Sequence, residues 1–171
     1  MQTRPSDPTS ALAALIAGNH RHIDRLASGG ARWSDDSARE SHAFPQKPFA
    51  LALCEPGVTP MAPHVFSLDH REVIVVDAIR DAVMLAEAHP LKLIVAVQPI
   101  PSQLAQVSSA WVHAELRSFS TIEAILRESP AVRRAVAANS MRIVAALLEQ
   151  PAERVHWVGE HPEIELLLQD A

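Results

Sequence analysis

The chain has a single cysteine, no tyrosine, five glycines and 4% aromatic residues in 171 positions. One cysteine excludes an internal disulfide, so no oxidising compartment is signalled. Without tyrosine and with few aromatics, the core has to be built from Ala, Val, Leu and Ile. The five glycines include no Gly-rich phosphate loop after a strand, and no Gly-x-Ser-x-Gly elbow occurs. No apolar run approaches the roughly 20 residues of a membrane span, and Met1 to Pro8 lacks the charged-then-apolar layout of a signal segment. A net charge of -5 with scattered basic residues argues against nucleic acid. These absences together point to a soluble cytoplasmic protein that engages neither nucleic acid nor membrane.

What is present is an apolar majority. Hydrophobic residues make up 48% of the chain, enough for one domain over residues 1–171 to fold without staples. Asp7-Pro8 reads as an N-cap followed by proline at the first helical position. Leu12, Leu15, Ile16, Ile23 and Leu26 then recur at helical spacing until Gly29-Gly30. Arg32 to Gln46 has no sustained period and reads as a loop, so residues 1–47 form a helical arm and loop before an α/β core over 48–171.

In that core, Pro48 to Cys54 is a short apolar run that breaks at Glu55-Pro56-Gly57. Three prolines and a glycine make Cys54 to Pro63 irregular. Val73 to Val76 and Leu91 to Val97 are β-branched runs of the length of buried parallel strands, and the segment Ala82 to Ala88 between them is helical. Pro99 to Ser102 is expected to end the third strand. Gln103 to Leu116 and Thr121 to Arg127 read as two helices, and Ser129-Pro130 caps another that runs to Asn139. Met141 to Leu148 and Arg154 to Val158 read as strands, and Glu163 to Leu168 as an amphipathic tail. Strand alternating with helix predicts a central, mainly parallel sheet flanked by helices.

Cys54 stands at the carboxyl end of a central strand, where α/β folds present their chemistry. It has three readings: a small buried hydrophobe, a reactive thiol, or a metal ligand. Glu55 beside it is a carboxylate at a turn, which is ordinarily solvated. Of nine histidines, His64 and His70 follow in the next loop. His20 and His22, two apart, fall on different helix faces. His42, His89, His113, His156 and His161 lie in no ligand motif.

The stretch Gln46-Lys47-Pro48-Phe49-Ala50-Leu51-Ala52-Leu53-Cys54 resembles the β-class carbonic anhydrase segment that ends in the first zinc-binding cysteine. The likeness continues through Pro60, Phe66, Glu72 to Asp77, His89 to Val97 and Ser129 to Trp157. Gly18-Asn19-His20-Arg21-His22 is similar to a family stretch that lies against the partner subunit. The resemblance implies that fold, and a homodimer or higher homo-oligomer in which the first helix embraces its partner.

The family holds zinc with two cysteines and a histidine, and orients the metal-bound hydroxide with an Asp-Arg dyad. Aligned with it, Cys54 keeps the first ligand position. Pro56 and Val58 stand in the dyad positions, and Pro99 and Ser102 in those of the other two ligands. Leu68 replaces a loop glutamine, and Arg80-Asp81 a Gly-Asn pair. The resemblance therefore implies a pseudoenzyme without metal or cofactor, acting as an oligomeric scaffold or as an interaction subunit beside an active paralogue. Two alternatives stand beside it. One is an enzyme with a zinc site rebuilt from Cys54, His64 and His70. The other is a small-ligand module using the vacated pocket, where Pro56, Val58, Leu68 and Pro99 favour an apolar or neutral ligand.

Overall fold

A computed structural model describes residues 4–30, 47–66 and 72–169. Leu68, His70, His42 and the 32–46 loop lie outside the described residues. The first helix, α1 (Pro8–Ala27), starts where the sequence predicts. Asp7 Oδ1 accepts from the Ser10 backbone N–H at 2.9 Å, and Ser10 Oγ accepts from the Asp7 N–H at 3.2 Å. This reciprocal cap satisfies two donors that a helix start leaves open. The helix stops at Gly29, whose φ of +85° suits glycine, while the Gly30 N–H closes on the Arg25 carbonyl.

The sheet consists of β1 (Ala50–Cys54), β2 (Val73–Val76), β3 (Leu93–Pro101), β4 (Arg142–Gln150) and β5 (Arg154–Gly159), in the order β2-β1-β3-β4-β5. The first four are parallel and β5 returns antiparallel to β4. The connecting helices are α2 (Ala62–Val65), α3 (Ile79–Ala88), α4 (Ser108–Glu128), α5 (Pro130–Ala137) and α6 (Ile164–Gln169). All five residues of β1 are buried, because both faces of the sheet are covered. On one face Ala50, Ala52, Leu93, Val95 and Val144 pack with Ala11 and Leu15 of α1 and Val65 of α2. On the other, Leu51, Ile94, Ala96 and Ile143 pack with Ala82 of α3 and Ile122, Ile125 and Leu126 of α4. The result is the expected α/β architecture with a mostly parallel sheet between helices. No helix among the described residues is long and apolar enough to cross a membrane.

Two boundaries differ from the sequence reading. The third strand does not end at Pro99 but pairs with β4 as far as Pro101↔Gln150. Its pairing with β1 stops at Cys54↔Val97, so beyond Val97 that flank has no strand partner among the described residues. Prolines at 99 and 101, two apart, fall in phase on one flank of the strand, and a flank without a strand partner needs no donor from them. The predicted pair of helices between 103 and 127 is one helix, preceded by a 3₁₀ turn at Ser102–Leu104. Ser108-Ser109 begins α4 instead of interrupting it. No glycine or proline breaks the period that brings Ala114, Ser118, Phe119, Ile122, Ile125 and Leu126 inward. Ser129 caps α5 as expected, accepting from the Val132 N–H at 3.1 Å. That helix stops at Ala137, short of Asn139, which has a φ of +54°.

Gly18, Asn19 and His22 of α1 are all buried within the chain. Gly18 lies against the Phe66 carbonyl. Asn19 Nδ2 donates to the carbonyls of Val65 and Glu153, each at 3.1 Å, and its Oδ1 accepts from the Val155 N–H at 3.0 Å. Arg25 Nη2 lies 3.1 Å from His22 Nδ1, and since guanidinium only donates, the His22 proton sits on Nε2. Nε2 donates to Glu153 Oε2 at 2.6 Å. The stretch that in the resemblance faces a partner subunit thus ties α1 to the chain's own β4–β5 hairpin, with His20 and Arg21 as its exposed members.

Candidate functional site

Parallel strands end together, and a crevice opens where neighbouring strands send their connections to opposite sides. Here β1 leads to β2 on one side while its other neighbour, β3, leads to β4, so the switch point lies between β1 and β3. A cleft of about 180 Å³ occupies that place, lined by Cys54, Glu55, Pro56, Asp77, Gln98 and Thr121 among others. Each comes from a separate decision of the chain. Cys54 ends β1 and Glu55 and Pro56 follow it, Asp77 follows β2, Gln98 is the first residue of β3 past the end of β1 pairing, and Thr121 is about two-thirds along α4.

Cys54 is 2% exposed and packs in the α1-side core with Val58 and Val97. Burial, with the charge of Asp77 adding to it, pushes its thiol well above the ordinary cysteine range. A free thiol so placed is a poor nucleophile. In the folded chain Cys54 is packed among apolar side chains. Glu55 is partly exposed to solvent, and at the rim of the cleft its Oε1 accepts from the exposed Arg117 Nη1 of α4 at 2.8 Å.

Only part of the predicted constellation is gathered here. Cys54 and Pro56 line the cleft, but Val58 turns into the core and is 1% exposed. Pro99 is half-buried on the outer reach of β3. Ser102, also half-buried, joins a different group beside Glu149 of β4. There, His156 Nε2 lies 2.9 Å from Glu149 Oε2, and the His156 ring meets Trp111 edge-on at 5.0 Å. The hydrogen bond from His156, helped by Ser102, holds the Glu149 carboxyl below its ordinary value against the opposing effect of burial. His64 is half-buried on α2. Among the described residues, no group of three His, Cys, Asp or Glu is placed to hold a metal ion.

Sequence reading passed over Asp77, Gln98, Thr121 and Arg117. One signal was available: Gln98 is the polar residue that interrupts the apolar run Leu93 to Val97. His22, His156 and His161 also have partners that no local pattern announces, in Glu153, Glu149 and Glu123. Neither family models nor curated proteins yield a match to this chain.

Proposed function

We propose that this chain is a non-catalytic protein on a carbonic-anhydrase-like framework, one that has lost zinc binding and carbon dioxide hydration and works by binding. The observation that carries this is the state of Cys54, the one ligand position that keeps its residue type. Its side chain is packed into the apolar core and is 2% exposed, whereas zinc hydration chemistry needs thiolate and imidazole ligands around a position open to water. Pro99 offers no side-chain donor, and Ser102, near Glu149, carries a hydroxyl in place of a thiol.

As an oligomeric scaffold or interaction subunit, the chain has a surface to offer. Leu104, Val107, Val112 and Leu116 are 42–56% exposed on the approach to α4 and along its first half. Apolar surface of this kind is what interfaces cover. A second reading, a small-ligand module, is favoured by the cleft at the β1/β3 switch point, which holds the buried amide of Gln98.

The test is zinc content per chain and the rate of carbon dioxide hydration, measured on full-length protein purified without chelator or histidine tag. Substoichiometric zinc and no acceleration over buffer are expected. Stoichiometric zinc that disappears in Cys54→Ser, together with hydration that disappears with it, overturns the proposal.

A further inference from the structure

The switch-point cleft contains a polar group that the fold leaves unanswered. Gln98 is only 7% exposed, yet its Oε1 has no hydrogen-bond partner among the described residues. An unmet buried acceptor costs roughly 1–3 kcal/mol. The neighbours on the same face of β3, Ala96 and Ile100, are apolar and fully packed, so packing alone would favour a hydrocarbon at this position. The terminal torsion of glutamine is broad, and the amide can therefore turn either its oxygen or its NH₂ to the cleft.

The surrounding charges decide which end is used. Glu55 is committed to Arg117. Asp77 is exposed and enters no salt bridge among the described residues. It lines the same cleft as Gln98. Arg117 at the rim is paired with Glu55, so an anionic ligand would meet Asp77 with the Gln98 amide as its donor inside the cleft, and a purely apolar one would leave Gln98 unpaired.

We propose that the cleft binds a small primary ammonium ligand, whose N–H groups are donated to Gln98 Oε1 and to the Asp77 carboxylate, with its alkyl part against Leu53, Pro56 and Ile79. The cleft, about 180 Å³ and open to solvent, suits a short alkyl chain. This rests on the binding reading above, and it replaces the apolar or neutral ligand expected from the sequence, because the folded pocket includes Asp77 and Gln98.

The experiment titrates the ¹⁵N-labelled full-length chain with n-butylammonium, butyramide and butyrate, three probes with four-carbon chains that differ in the head group. The cation is expected to bind at least about tenfold more tightly than the other two, shifting the amides of Cys54, Glu55, Gln98 and Thr121. Gln98→Leu and, separately, Asp77→Asn are each expected to weaken it by roughly tenfold. Asp77 is exposed, so its variant tests the site without disturbing the core. Equal or tighter binding of butyrate or butyramide, shifts confined to other regions, or undiminished binding by Asp77→Asn overturns the site. Zinc content and hydration measured on the same preparation separate the two failures. Absent hydration with no butylammonium binding refutes the ligand site alone, whereas zinc-dependent hydration refutes the reading beneath it.

Discussion

Gly18→Ala puts helix propensity and tertiary contact in direct opposition. By propensity alone, alanine in the interior of α1 is favoured over glycine by about 1 kcal/mol. In the folded chain, however, a Cβ at this position would overlap the Phe66 carbonyl oxygen and stand 2.9 Å from its carbon. These are backbone atoms at the end of α2, which cannot rotate away as a side chain would, so the cost belongs near the upper end of the roughly 1–3 kcal/mol for overpacking. The next residue, Asn19, holds the Val65 and Glu153 carbonyls and the Val155 N–H. Lifting α1 to relieve the overlap would stretch those bonds, each contributing about 1 kcal/mol. The net is a destabilisation of about 2 kcal/mol if the network holds, and about 5 if it opens. For a chain of this size the smaller figure corresponds to a Tm lower by roughly 4–8 °C. Thermal unfolding followed by circular dichroism measures it, with Ala13→Gly at an exposed position of the same helix as the control, expected to cost about 1 kcal/mol through propensity only. A Tm for Gly18→Ala equal to or above that of the parent would refute the seating of α1 on α2.

Two further outcomes follow from the titrating groups. Cys54 should resist a disulfide reagent at mildly alkaline pH in the native chain and react fully in denaturant, because burial keeps the thiol protonated; rapid stoichiometric labelling of folded protein would contradict its place in the core. The Glu149 carboxyl lies below its ordinary value of 4.5, chiefly through His156. It therefore adds stability that is fully present above about pH 4.5 and is lost as pH falls through the lower folded value. Glu149→Gln should make the acid limb of the stability curve shallower, and parallel limbs in denaturant titrations of the two proteins would refute the pairing.

The sequence by itself determined the pieces whose causes are local. The Asp7-Pro8 start and Gly29 stop of α1, the Ser129 cap of α5, and the runs Ala50 to Cys54, Val73 to Val76 and Leu93 to Val97 depend on residues within one or two turns of each other. So does the position of Cys54 at a strand end. Tertiary structure decided everything that depends on what lies alongside. Prolines 99 and 101 end a strand in isolation, but β3 carries them because β4 pairs one flank while β1 has already stopped on the other. Glu55 meets Arg117 across 62 residues and His22 meets Glu153 across 131, distances over which no spacing rule operates. The site moved for the same reason: register places Gln98 one residue past the last β1 pair and brings Asp77 and Thr121 beside it, while the Ser102 aligned with a zinc ligand is carried off to Glu149. Caps and periodicity act through bonds a few residues long, whereas a cleft is made by strand order, side-chain parity and the crossing of a distant helix.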